Sequence, residues 1–246
     1  MSQALHEPLE APAVRETVQE LYARIEARFP KRGLLGVCGD LITLVDEVQT
    51  SAGQGQRKIR MVRLASRVVM AFVIVVTVLA LILALHDALF AERVKDSIDV
   101  LDLAETAISD IVYAAIAIFF LWSFPERIQR SRLLNLLHQL RSTAHVIDMH
   151  QLTKDPEQLR PSFVPSSASK PLGMTRDQVE RYLDYCSEML SLVGKTAALC
   201  AEESRDSVIL ETVSRVETLT VGLSRKIWQK ISNLPPSTAP KGGIEP

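Results

Sequence analysis

Three histidines and an aspartate near the middle of the chain are the side chains best suited to chemistry. His138 and His145 are seven residues apart, so they share one face of a helix, and Asp148 follows about one turn later. His150 points to a different side. Since Zn²⁺ needs three or four converging ligands, we interpret the group as a polar interaction network and predict no metal site. Within the chain, segment 144–156 is the candidate for specific recognition.

The remaining reactive residues form no recognisable catalytic pattern. The sequence contains no GxSxG, HExxH or Walker A motif. Cys38, Cys186 and Cys200 are odd in number and lack CxxC spacing, which favours reduced, packed thiols. A net charge of −1 gives no general electrostatic support for nucleic-acid binding. We therefore predict no enzymatic activity, no cofactor and no nucleic-acid partner.

Two apolar segments predict a transmembrane helical hairpin. Residues 68–85 carry no charge, and Thr77 is their only polar side chain. As a helix this run spans roughly 27 Å, close to the thickness of the hydrocarbon core. The second segment, 107–124, contains Asp110 and ends in aromatic residues, and Pro125 follows where the helix is expected to kink or restart.

Charges around the hairpin predict its orientation. Residues 57–67 supply five basic side chains and no acid before the first span, and 127–132 supply three more after the second. The connecting segment, 86–110, holds seven acids against two basic residues. Because basic flanks stay on the cytoplasmic side, we predict that both termini are cytoplasmic and that the chain is a multi-pass protein of the cell inner (plasma) membrane, surrounded by lipid.

Heptad-like spacing predicts a helix that leaves the membrane after the second span. Its apolar seam covers about two heptads and consists of Leu133, Leu137, Leu140, Ala144 and Ile147. The seam could pack within the subunit or against a neighbouring copy. A helix that continues directly out of the membrane is well placed for contact with a neighbour.

The fold class predicted for the whole chain is all-α, with helical hairpins on both sides of the membrane hairpin. Residues 50–56, with two glycines, predict a flexible joint, and Thr175 with Gln178 predicts a capping box at a helix start. The C-terminal hairpin is expected to pack on the N-terminal hairpin or on another subunit. The predicted parts are a tail (1–12), an N-terminal cytoplasmic hairpin (13–56), the membrane hairpin (57–132), a post-membrane helix (133–152), a Pro/Ser-rich linker (153–173), a C-terminal cytoplasmic hairpin (174–234) and a tail (235–246).

Small residues on one face of the second span leave two interpretations open. Ala107, Asp110, Ala114 and Ala117 are spaced by three and four residues, so they share a helix face. Small side chains let helix backbones approach closely, which favours packing within the hairpin or within an oligomer. The other interpretation is an oligomeric pore with Asp110 near its outer mouth.

The arrangement of 57–132 with its helical flanks resembles bacterial two-span proteins such as the SLATT-type membrane effectors tied to nucleotide-signalled defence. The resemblance implies hairpins that assemble and disturb the membrane. An uncharacterised two-span membrane family fits the architecture equally. From the residues we predict a membrane-anchored helical scaffold or sensor that forms homo-oligomers or binds a cytoplasmic protein partner. The alternative is an oligomeric ion channel or pore-forming effector.

Overall fold

The computed structural model describes residues 9–90, 97–202 and 204–236. Within these ranges there are six helices and no strand, so the predicted all-α fold class is confirmed. The helices are α1 (Ala11–Arg28), α2 (Gly33–Phe90), α3 (Ser97–Leu152), a short 3₁₀ helix (Pro156–Leu159), α4 (Arg176–Glu202) and α5 (Ser207–Ser232).

The second helix is longer than the sequence pattern suggests. The prediction of a flexible joint at 50–56 is wrong, because α2 continues through both glycines of this segment. Glycine inside a helix costs only about 1 kcal/mol relative to alanine. Helix propagation from a formed helix adds one hydrogen bond per residue, so two glycines do not interrupt it.

The third helix is also uninterrupted. It contains Pro125, so the proline neither ends nor restarts the helix. Between α2 and α3 only residues 91–96 lie outside the described ranges, and most of the predicted connecting segment, 86–110, therefore belongs to the two helices.

Side-chain caps define the starts of the last two helices. The predicted capping box is confirmed, since the Thr175 amide donates to Gln178 Oε1 at 2.9 Å and the Gln178 amide donates to Thr175 Oγ1 at 3.3 Å. Asp206 caps α5 by accepting from the amides of Val208 and Ile209. Side-chain acceptors at these positions satisfy amides that have no partner inside the helix.

The chain divides into two compact units. One unit, called here the helical bundle, comprises Met1–Ala52 and Leu133–Pro246. The other, called here the apolar helix pair, comprises Gly53–Arg132. Both long helices are shared between the units, α2 at its first 20 residues and α3 at its last 20.

The core of the helical bundle contains the heptad seam. Leu137, Leu140, Ala144 and Ile147 are fully buried, and Leu133 is almost so. They belong to one cluster with buried residues of α1, α2, α4 and α5. The chain therefore covers the seam by itself, and the seam is core rather than a free surface for a neighbouring copy.

The C-terminal helices contact the N-terminal helix through α4, which agrees with one of the two expectations. α4 packs most extensively on α5 and also contacts α1. The Phe29 ring meets Tyr182 edge-to-face, with centroids 5.4 Å apart. On the surface of the same contact, the Arg24 guanidinium lies 2.6 Å from a carboxylate oxygen of Glu188. This pair is half-exposed and contributes less than the aromatic contact.

Replacing Leu140 tests the assignment of the seam to the core. We expect Leu140→Ala to lower the free energy of unfolding by about 2–5 kcal/mol, because it opens a cavity in a packed core. Unfolding of the full-length protein in detergent can be followed by urea-dependent thiol labelling, since all three cysteines are buried in the helical bundle.

The matched control is Val146→Ala on the same helix. Val146 is exposed, so its truncation should change stability by less than about 0.5 kcal/mol. If the loss of stability in Leu140→Ala grows when the protein is diluted, Leu140 lies between copies of the chain. That result would contradict the assignment of the seam to the core.

Candidate functional site

The structure does not bring the four predicted polar residues of α3 together. His138 and His145 are exposed, whereas Asp148 and His150 are half-buried. In the part of the chain that the structure describes, no group of three or more His, Cys, Asp and Glu residues is arranged to hold a metal ion. Only Asp148 and His150 belong to a structured polar site, which lies at the C-terminal end of α3.

His150 is held between two other helices of the bundle. Its Nδ1 lies 3.4 Å from the Tyr182 hydroxyl on α4. Its Cε1 would lie only 2.7 Å from a Cβ at Gly33, the first residue of α2. Glycine at position 33 thus makes room for the imidazole. Burial, and then the charge of Lys154, lower the pKa of His150.

Gln151 connects the end of α3 to neighbouring residues through its side chain and its main-chain carbonyl. The residue is only 1% exposed, and its Nε2 donates to Asp148 Oδ1 at 2.7 Å. Its main-chain carbonyl accepts from Lys230 Nζ at 2.9 Å, and the Lys154 carbonyl accepts from the same amine at 3.4 Å. A lysine of α5 therefore caps the C-terminus of α3, where carbonyls lack helical partners and a positive charge is favourable.

Lys154 is the second cation of this site and is 8% exposed. Its Nζ donates to Thr153 Oγ1 at 2.8 Å and lies 5.1 Å from the centroid of the Tyr182 ring, a cation–π distance. Burial, followed by repulsion from Arg32 and Lys230, lowers the pKa of Lys154 below its usual range. Burial also lowers the pKa of Lys230, although Asp155 and Asp148 act in the opposite direction.

The remaining groups of the polar site are not activated for catalysis. Burial raises the pKa of the Cys186 thiol to about 12 and also raises the pKa of the Tyr182 hydroxyl. Both groups are therefore protonated at neutral pH, whereas a reactive thiol needs a lowered pKa. The arrangement can hold helices together through charge and hydrogen bonds, but it offers no nucleophile.

The sequence singled out segment 144–156 as a candidate for recognition, which stays a prediction, and did not indicate the buried contacts of this site. Segment 144–156 contains the buried Gln151 and Lys154, so its unusual composition was a usable signal. Tyr182 and Lys230 carried no such signal. In the sequence, Tyr182 is an ordinary member of an apolar stripe and Lys230 is typical of an exposed helix position. Only the tertiary packing brings both residues to α3.

The apolar helix pair has a surface unlike that of the bundle. Residues Leu64–Leu83 form an apolar helical segment that is almost entirely uncovered, and a second such segment begins at Ala104. Phe72 is 67% exposed and Trp122 is 70% exposed. Both segments are long and apolar enough to cross a membrane.

One hydrogen bond joins the two helices of the pair at a proline. Pro125 has no amide hydrogen, so it cannot donate to the carbonyl of Leu121 four residues earlier. The Ser66 hydroxyl donates to that carbonyl instead. In apolar surroundings an unsatisfied carbonyl is costly, and Ser66 explains how α3 continues through Pro125.

The small-residue face of the second apolar segment is partly covered. Ala107, Ala114 and Ala117 are half-buried, while Ile116 on another face is exposed. Asp110 lies on the small-residue side and is exposed. The alanines are therefore packing positions within this chain.

Comparison with protein-family models, curated proteins and solved structures returns no match to this chain. The resemblance to SLATT-type effectors thus stays a prediction.

The lowered pKa of His150 predicts a pH-dependent stability. Its ordinary value is 6.5, and the folded value is lower, so the unfolded chain binds the proton more readily. Neutral, buried His150 therefore contributes fully to the free energy of unfolding above the unfolded pKa. This contribution is lost as the pH falls from about 6.5 toward the folded value. We expect a lower urea midpoint at pH 5.5 than at pH 7.5, measured by Trp228 fluorescence in a Trp122→Phe background.

His150→Gln should make that difference smaller, because the buried titrating group is removed. His145→Gln is the matched control, since His145 is exposed on the same helix and should keep the original difference. Equal differences in the two variants would show that His150 does not carry the pH dependence.

Proposed function

We propose that this chain is an integral protein of the inner (plasma) membrane that anchors a cytoplasmic helical bundle, and that the bundle acts as a scaffold or sensor by self-association or by binding a protein partner. One observation carries the proposal: most large side chains of the two apolar segments are exposed, while the long helices of the bundle bury the apolar stripes that form its core.

Exposed apolar area supports insertion in the membrane. Removing a single Val, Leu, Ile or Phe side chain from water is worth about 1.5–3 kcal/mol. Most of the exposed large hydrophobic residues of the described chain fall between Met61 and Ile128. Such a surface is far larger than the apolar patches of soluble monomers. Insertion into a bilayer would remove the whole surface from water.

Charge supports the proposed orientation. The basic residues at 57–67 precede the first apolar segment and those at 127–132 follow the second, whereas the acidic residues lie between the two segments in sequence. By the positive-inside rule, the helical bundle is on the cytoplasmic side. A binding role is favoured over a catalytic one because the buried thiol and phenol of the polar site keep their protons.

The outer side of α5 supports a role in protein contact. Leu210, Val221 and Trp228 are all exposed. They are eleven and seven residues apart, so they fall within about 20° of one line along the helix. This line is separate from the buried stripe that contains Ile209 and Ile227. Apolar side chains aligned on one helix face are the kind of anchor that helix-in-groove recognition uses.

The alternative function, an oligomeric channel, rests on Asp110. Its carboxylate is exposed beside an apolar segment, and a ring of such carboxylates would select cations. Because the alanines of the same face are already half-covered within one chain, less of that face is left to line a pore. The scaffold therefore remains our first proposal.

The orientation can be tested with single cysteines and an impermeant thiol reagent. The three native cysteines are buried and give little background. We expect Asp99→Cys to be labelled in intact cells, because it lies between the spans. Ser167→Cys, in the exposed linker, should be labelled only after the cells are opened. Reversed labelling would invert the orientation, and recovery of the protein in the soluble fraction after a carbonate wash would rule out insertion.

The role of α5 can be tested by photo-crosslinking in native membranes. A photoreactive residue at Val221 should yield adducts of twice the monomer mass, or of one defined larger mass, because the exposed apolar line meets a partner. Arg215, which is exposed on another side of α5, is the matched control position. Adducts that are equally weak at both positions would argue that α5 contacts no partner.

A further inference from the structure

A cleft in the apolar helix pair lies directly beside the hydrogen bond at Pro125. Its volume is about 260 Å³, and it is lined by Ser66, Arg67, Met70, Trp122, Pro125 and Glu126. Arg67 lies at the start of the first apolar segment and Glu126 at the end of the second. Both charges therefore belong to the same end of the pair.

The two charges of the cleft are both available. In the described part of the chain, neither Arg67 nor Glu126 forms an ion pair or side-chain hydrogen bond with another residue, and both are exposed. A guanidinium binds phosphate oxygens, often through two parallel hydrogen bonds. A carboxylate only accepts hydrogen bonds, so it requires a donor such as an ammonium group.

The apolar lining places the cleft at a bilayer boundary. Trp122 is mostly exposed, and tryptophan side chains concentrate at the level of lipid headgroups. Met70 and the exposed Phe124 continue the apolar surface away from the charges. The Ser66 hydrogen bond to Leu121 joins the two walls of the cleft, so its shape is held in place before any ligand binds.

We propose that this cleft binds the headgroup of an ethanolamine phospholipid, with the phosphate at Arg67 and the ammonium at Glu126. This proposal rests on the membrane insertion proposed above. A phosphatidylglycerol headgroup offers no cation to Glu126, and a choline headgroup offers no N–H donor to it. The cleft therefore distinguishes among lipids by the presence of a cationic N–H donor next to the phosphate, beyond the general attraction of the basic flanks.

Quenching of Trp122 by brominated lipids tests the proposal. The full-length protein, with Trp228→Phe so that Trp122 is the only tryptophan, is reconstituted into phosphatidylcholine vesicles. A small fraction of the lipid is replaced by a version brominated in its acyl chains. We expect brominated phosphatidylethanolamine to be enriched at Trp122 by roughly fivefold over its mole fraction, the effect of about one satisfied charge pair near a membrane surface. Brominated phosphatidylcholine and phosphatidylglycerol should not be enriched to this extent.

Charge-neutral variants assign the effect to the cleft. Glu126→Gln and Arg67→Gln should each reduce the enrichment of phosphatidylethanolamine to nearly its mole fraction. Arg127→Gln is the matched control, because it removes an exposed arginine at the same end that does not line the cleft. Equal enrichment of the ethanolamine and choline lipids, stronger enrichment of phosphatidylglycerol, or an unchanged effect in Glu126→Gln would overturn the proposal.

Failure of this proposal and failure of membrane insertion give different results. In vesicles made entirely of brominated phosphatidylcholine, an inserted Trp122 is strongly quenched whatever lipid the cleft prefers. Each variant should show this strong quenching, which also verifies that it is inserted correctly. Absence of quenching in these vesicles would contradict membrane insertion itself, whereas strong quenching without lipid preference would contradict the cleft alone.

Discussion

The uncovered apolar surface of two helices is the constraint on which the rest of this chain depends. Most of the large side chains of the segment Leu64–Leu83 and of residues 104–124 are exposed in the structure. A surface of this kind is stable only where the solvent is itself apolar, and there every main-chain group must find its partner inside the protein. Ser66 meets this demand at the one carbonyl that Pro125 leaves without a donor. The proline is thus tolerated inside α3 because Ser66 of α2 donates the hydrogen bond that the proline cannot.

The helical bundle differs from the apolar helix pair, because its helices bury their apolar side chains against one another. Its apolar stripes pack on one another, and its polar side chains are mostly exposed. The buried exceptions are Thr196 of α4, Thr220 of α5 and a small group at the end of α3. In that group Lys230 neutralises the negative end of the α3 dipole, and Lys154 rests over the ring of Tyr182. These contacts connect three helices that are far apart in sequence. They give the end of α3 a defined position that apolar packing alone would not specify.

Local patterns were enough to predict the apolar segments, the amphipathic stripes and the capping box, because each depends on residues within a few turns of one another. The continuation of α2 through Gly53 and Gly55 was missed, since the flanking helix outweighs two weak residues. The seam at Leu140 was predicted as apolar, but periodicity cannot tell a core from an interface. The contact of Gly33 with His150 joins residues more than a hundred positions apart, and no local pattern encodes it.

The packing of α1 on α4 has a consequence for the order of synthesis. Nearly 150 residues separate the end of α1 at Arg28 from the start of α4 at Arg176. At about 5–20 residues per second, α4 emerges from the ribosome roughly 7–30 s after α1. During that interval α4 cannot cover the apolar stripe of α1, while both apolar segments have already been synthesised. The core of the bundle can therefore close only after α4 and α5, which follow both apolar segments in the chain, have been synthesised.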